Sequence, residues 1–291
     1  MTPDRLYRFI QFEYPWPLGP VDGRYLIRDH AGEEAHHVLV FASWATTTQR
    51  RSRRWTREPE PQRVPAETGL SRATLVETTV VDAATAQAWL AEIEGPAAGE
   101  AVSDGLLLVN SAIRGHRAAA ADPTVREVTA EQALTVRAGY GAGDEVAEGD
   151  WTQARDLPSP GSQEGNRRQR REAALRPQER LAALLSGRDA VLACEELALR
   201  ARLDLDQRRP REAALQTHIA LEAAVAELQA YRGSENLSRR RGELEALRVP
   251  MSAAANEALQ GGPSDATTAT VSDALEQIEA TLRARAAVAA Y

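Results

Sequence analysis

The chain of 291 residues contains no lysine, and all 35 of its basic residues are arginine. That absence removes several chemistries in their standard form. A phosphate-binding P-loop needs its lysine, and a pyridoxal-phosphate enzyme needs an amine for the Schiff base. The usual protein-kinase site needs a strand lysine for the phosphates. A GC-rich genome, which the abundant alanine also suggests, accounts for the missing lysine without selection for arginine. Cysteine is nearly absent too: Cys194 stands alone, so no intramolecular disulfide or cysteine-based zinc site can form within one chain. Long hydrophobic runs are missing. Segments such as Val38 to Phe41 and Leu106 to Val109 fall far short of the roughly 18 residues that span a bilayer. Met1 to Arg5 leads into an alternating segment rather than an apolar stretch, so no signal peptide and a cytoplasmic location are expected.

What is present suits a globular chain. Hydrophobic residues make up 43% and charged residues 26%, enough to bury a sizeable core, and the length suggests two domains of about 150 residues. The aromatic residues divide the chain: twelve of fourteen lie between Tyr7 and Trp151, and only Tyr231 and Tyr291 follow. The first half has strand-like runs at Leu6 to Tyr14, Arg24 to Arg28, Val38 to Trp44 and Ala73 to Val81. Asp22-Gly23 and Ala31-Gly32 supply turns between the first three, which favours an antiparallel meander. Arg50 to Leu70, with Pro59, Pro61 and Pro65, reads as a long mobile polar loop. Two helices follow, Ala83 to Glu94 capped by Asp82, and about Glu100 to Ala120. Val125 to Val136 carries both a helix start (Thr129, Glu131-Gln132) and a strand-like run (Leu134-Thr135-Val136).

From this pattern we expect an α+β N-terminal domain over 1–150 (an antiparallel sheet meander with helices), a linker over 151–166, and an all-α helical bundle or hairpin domain over 167–291. In the helical half, Pro177 suits a first helical position, with Gly187 past the end of that helix. From about Arg188, the residues Val191, Cys194, Ala198, Ala201 and Leu205 step along one face. Pro210 opens a helix with Ala214, Thr217, Leu221, Ala224 and Leu228 on its stripe. Asn236 caps a third helix interrupted at Pro250, and Asp265 or Ser272 starts the last, through Leu275, Ile278 and Leu282.

Arg202 to Leu215, with Ala213 and Ala220 seven apart, is similar to the turn of a tetratricopeptide hairpin. The resemblance covers about 40 residues by comparison with that repeat's usual length of roughly 34. It departs from the pattern at Arg200 and Asp204, where large apolar residues belong, and no second copy follows. It implies a protein-binding surface. Arg211 and His218 lie seven apart on one helix face, which faintly resembles the Arg-x(4–6)-His motif of HEPN-type helical ribonucleases, with Glu212 after the arginine. That resemblance implies His218 as base and Arg211 as phosphate ligand. An arginine and a histidine on one helix flank equally occur without catalysis.

Net acidity, with a formal charge of −7, argues against a uniformly basic nucleic-acid binder, yet arginine clusters stand out. Arg50, Arg51, Arg53, Arg54, Arg57 and Arg63 face only Glu58 and Glu60, with Trp55 among them as a stacking platform. Arg167, Arg168, Arg170, Arg171 and Arg176 form a second cluster, and Arg239 to Arg241 a third. These are candidate anion contacts or ordinary solvated runs. His30, His36 and His37, with Asp29, Glu33 and Glu34, offer metal-ligand chemistry, although adjacent histidines on a strand point to opposite faces. A solvated turn is the simpler reading, and no metal or other cofactor is expected. Gly139-Tyr-Gly141-Ala-Gly143 lacks the dinucleotide-binding spacing and reads as a flexible turn, and Cys194 reads as a small core residue. The function expected is a non-enzymatic protein-interaction or scaffolding module, with a protein partner and no membrane. The alternative is a phosphate- or nucleic-acid-binding protein using the arginine clusters or Arg211 and His218. Self-association stays open at this level.

Overall fold

Alternating apolar and polar side chains build the first strands. The computed structural model describes residues 5–47, 67–93, 95, 97–157, 177–231 and 234–289. The chain divides into two compact units, Met1–Gln163 and Glu164–Tyr291. In the first, β1 (Tyr7–Tyr14), β2 (Gly23–Ile27), β3 (His37–Thr47), β4 (Glu67–Glu77), β5 (Thr135–Gly141) and β6 (Gln153–Asp156) form one antiparallel sheet. Its order is β2-β3-β4-β1-β5-β6. The sheet is antiparallel as expected, and of the two turns expected among the first three strands one joins sheet neighbours, β2 and β3, whereas β1 and β2 are not neighbours. Strands β2-β3-β4 and β5-β6 run in sequence, and β1 inserts between β4 and β5. Turn residues mark where a chain reverses but not which neighbour a strand takes, and β1 is central because Phe9, Phe12 and Tyr14 are buried.

Strand alternation sends Ile10, Phe12 and Tyr14 of β1 to one face and Phe9, Gln11 and Glu13 to the other. Helices α1 (Ala83–Ile93) and α2 (Ala98–Ala120) cover the first face, packing Leu90, Ile93, Val109 and Ile113 with Phe12, Leu39, Leu75 and Val136. Asp82 caps α1 by accepting the Thr85 N–H at 2.7 Å. Gly105 of α2 lies over the Phe12 ring, where a Cβ would stand 3.2 Å from it. Asn110, 1% exposed, brackets Val128 by donating to its carbonyl and accepting its N–H, both at 2.9 Å. Both signals in the 125–136 stretch are realised in turn. Thr129 opens a 3-10 turn, Ala130–Gln132, and β5 begins at Thr135.

Two boundaries differ from the expectation. Glu67 to Leu70 belongs to β4, in register with β3 through Thr47↔Glu67, and is not loop. Residues 151–157 belong to the first unit: β6 pairs with β5, and the Leu157 N–H donates to the Val136 carbonyl at 2.8 Å. Ladder bonds, invisible in a polar sequence, hold this segment in the sheet.

The second unit is helical: α3 (177–185), α4 (Ala193–Asp206), α5 (Pro210–Glu227), α6 (Glu235–Ala246), α7 (Arg248–Leu259) and α8 (Asp265–Ala289). The short turn after Asp206 folds α4 and α5 into a hairpin, and α8 packs on α4, α5, α6 and α7. Pro210 occupies the first turn of α5 and Pro250 that of α7, where an N–H has no helical partner to lose. Ser234, not Asn236, caps α6 by accepting the Leu237 N–H, while Asn236 accepts from Arg240. Ala198, Ala201, Ala213, Ala214, Ala220 and Ala224 are buried with Leu221 and Leu228, small residues that let helix axes approach closely. No helix of the described residues is long and apolar enough to cross a membrane.

Candidate functional site

The face of the sheet away from α1 and α2 carries alternate residues of every strand, and charge collects at its centre. Gln11 pairs with Thr74 and Arg137 across the strands, and Glu13 with Arg72. The Arg72 guanidinium donates to Glu13 through Nε and Nη2 at 3.0 and 2.7 Å, and to the Ala147 carbonyl at 3.2 Å. Arg137 donates to Asp156 at 2.8 Å and to Gln11 Oε1 at 3.1 Å, while Gln11 donates to Thr74 at 2.9 Å. Indole rings flank the ladder: Arg72 lies 4.7 Å from the Trp44 ring centre and Arg137 5.1 Å from that of Trp151. Trp151 in turn stacks on Phe9 at 5.8 Å. Glu13, Arg72 and Arg137 are each about one-fifth exposed. Their polar edges are bonded to one another and their guanidinium groups lie over the indole rings, so the charges are largely satisfied within the face.

The same face explains the glycines before the loop. Gly139 and Gly141 are in strand β5 and not in a flexible turn. A Cβ on Gly139 would stand 2.4 Å from the Gln153 carbonyl oxygen and 2.8 Å from the Phe9 ring. One on Gly141 would meet Val146 at 2.6 Å. Neighbouring strand and ring need that space, so the glycines serve packing.

In the helical unit one cluster of charged groups goes inside. Arg285 of α8 is 2% exposed, with Asp189 Oδ1 at 2.5 Å from its Nη2 and Glu195 3.8 Å from its Nη1. It also donates to the Tyr231 hydroxyl at 2.7 and 3.1 Å and lies over that ring. Arg180 of α3 joins the cluster through both oxygens of Glu195, at 2.6 and 2.8 Å, and Asp189 at 3.3 Å. Burial alone would raise the Asp189 carboxyl. The Ala190 N–H and the Arg285 and Arg180 guanidinium groups outweigh it and hold it below the usual carboxylate range. At the start of α4, Glu227 accepts from the N–H groups of Ala193 and Cys194 at 3.1 and 3.0 Å. Burial opposes its ionisation, but the Cys194 thiol and these N–H groups bring its pKa down. Burial and the nearby Glu227 and Glu195 carboxylates push the Cys194 thiol up, away from the reactive thiolate.

The sequence candidates scatter. On α5, Arg211 is exposed and His218 half-buried, with its Nδ1 shielded and lacking a hydrogen-bond partner, and no hydrogen bond or ion pair among the described residues joins the two. The arginines of the third cluster are held within α6: Arg239 by Glu243, Arg241 by Glu245 and Arg240 by Asn236. Arg50, Arg51, Arg53, Arg54, Trp55 and Arg57, and Arg167, Arg168, Arg170 and Arg171, lie outside the described residues. His30 is exposed, while His36 and His37 touch. They do not point to opposite faces, because β3 begins at His37 and His36 precedes the ladder. Among the described residues no three His, Cys, Asp or Glu side chains are placed to hold a metal ion.

Two clusters escape the sequence reading. Glu13 and Arg72 stand 59 residues apart, and only strand order makes them neighbours. Arg285 did carry a signal: it continues the spacing of Leu275, Ile278 and Leu282, a charged residue at the next step of an apolar stripe. Comparison with protein-family models, with curated proteins and with solved structures finds no match to this chain.

Proposed function

We propose that this protein is a non-enzymatic protein-interaction or scaffolding module of the cytoplasm, and that the exposed leucines of α3 and α4 receive its protein partner. One observation carries the reading. None of the described residues 177–185 of helix α3 is buried; Arg180 ties the helix to its unit, and Leu181 and Leu185 are exposed by 53% and 80%. A partner that covers these leucines would take their apolar surface out of water. Leu199 and Leu203, one turn apart on α4, are exposed as well and add apolar area beside charged residues. Arg200 and Asp204 in the hairpin, where a tetratricopeptide would be apolar, make that resemblance unnecessary to the reading.

The test is affinity capture with the full chain from its native lysate after nuclease treatment, beside a Leu181→Ser, Leu185→Ser variant. The expected outcome is a stoichiometric protein that the variant loses while its helical circular dichroism is unchanged. Equal capture by both chains, or no protein captured by either, overturns the reading. Recovery of nucleic acid alone would turn attention to the arginine clusters, which no described contact favours.

A further inference from the structure

His36 and His37 meet through their Nδ1 atoms, 2.6 Å apart, with ring planes at 87°. Such a contact requires one Nδ1 to donate and the other to accept. Two neutral rings satisfy it, and so does a pair holding one extra proton. Two imidazolium rings cannot, since each Nδ1 then carries a hydrogen and each ring a positive charge. The surroundings sort the two rings. His36 Nε2, shielded from solvent, lies 3.3 Å from the Asp29 carboxylate. His37 lies opposite Glu77 in the β3–β4 register, where Glu77 is already paired with Arg8, and Arg8 itself lies over Trp89 of α1. Burial first, then His36 and Arg8, hold the His37 pKa below the ordinary imidazole value. His30, Glu33 and Glu34 of the same turn are exposed.

The contact sits where the turn between β2 and β3 is fastened to the sheet. The His36 N–H donates to the Ile27 carbonyl at 3.0 Å, and the Thr78 N–H donates to the His36 carbonyl at 3.1 Å. The Thr78 hydroxyl donates to the Ala35 carbonyl at 2.6 Å. We propose that the His36–His37 contact is an acid-labile clasp: it tolerates one proton, and the second, arriving at His37, separates the rings and loosens residues 28–36 from β4. The edge strand β2, with Tyr25 and Leu26 exposed, is the element this release would free.

An NMR titration of the full chain from pH 8 to 4.5, following histidine ring and backbone amide signals, tests the clasp. His30, His116 and His218 serve as internal references. The expected result is that His37 protonates below the ordinary midpoint near 6.5, and that the amide signals of His36, His37 and Thr78 move with that step. In a His36→Phe chain the His37 midpoint should rise by about half a pH unit or more, because one of the two positive neighbours is gone. An unchanged His37 midpoint in that variant overturns the proposal. So does a wild-type titration in which these amide signals ignore the His37 step, a measurement that needs no variant to fold.

Discussion

The two units fill their interiors differently. The sheet unit buries Phe9, Phe12, Tyr14, Leu39 and Ile113, whereas the helical unit relies on alanines with Leu221, Leu244, Met251 and Leu275 between them. Their charges go to opposite places. Glu13, Arg72 and Arg137 stay half-buried on a sheet face, while Arg285, Asp189 and Glu195 are sealed among helices. Packing geometry accounts for both. A helix layer over a sheet leaves room for rings, and the sheet's other face can keep ions near water. Close-packed alanine helices leave no such face within the bundle, so an ion there survives only with a counter-ion beside it.

The widest break in this comparison is expected from Arg285→Met. It removes the buried cation from the Asp189 and Glu195 carboxylates and leaves them only the part-exposed Arg180, at a cost of up to about 3–5 kcal/mol. All five tryptophans precede residue 152, so their fluorescence reports the first unit while far-ultraviolet circular dichroism is weighted to the helices. The helical denaturation midpoint should fall and the fluorescence midpoint should stay. If both move together, the units unfold as one and the contrast fails. Phe12→Ala should do the reverse at similar size, about 3–5 kcal/mol, by opening a cavity against Gly105 and Leu75.

A smaller effect, about 1–3 kcal/mol on the fluorescence transition, is expected for Gly139→Ala, because the added methyl meets the Gln153 carbonyl and Phe9. A silent Gly139→Ala would mean that β6 shifts freely along β5. The smallest is a pH slope. The Asp189 and Glu227 carboxyls are held below their ordinary values in the folded chain, so their contribution is complete above the ordinary carboxyl range near pH 4 and is lost as pH falls through the folded values. The helical midpoint should therefore drop on acidification below about pH 4, and Asp189→Asn should flatten that slope. An equally steep slope in Asp189→Asn would assign the acid sensitivity elsewhere.

Much of this architecture is legible in one dimension because it is local. Asp82 before an apolar-periodic run, Pro210 at the start of α5 and the alanine stripe behind it each act within a few residues. The strands were legible from alternation. What misled was adjacency: Gly139 and Gly141 look like a turn until Phe9 and the 150–153 segment are laid against them. Trp151 to Leu157 looks like a connection until β6 bonds to β5. The His36–His37 contact also depends on where β3 begins, a matter of one residue that periodicity does not resolve.

Residue order alone reveals the division into a strand-rich half and a helical half, since aromatic and β-branched alternation stops where alanine stripes begin. Composition sets the exclusions that follow from missing lysine and from a single cysteine. The position of β1 between β4 and β5, and with it the meeting of Glu13 with both Arg72 and Arg137, emerges from long-range strand pairing. The interior place of Arg285 likewise comes only with tertiary packing. Backbone propensity and capping act over one or two turns of chain, whereas strand order and ion pairing depend on contacts between residues far apart, which a linear pattern does not encode.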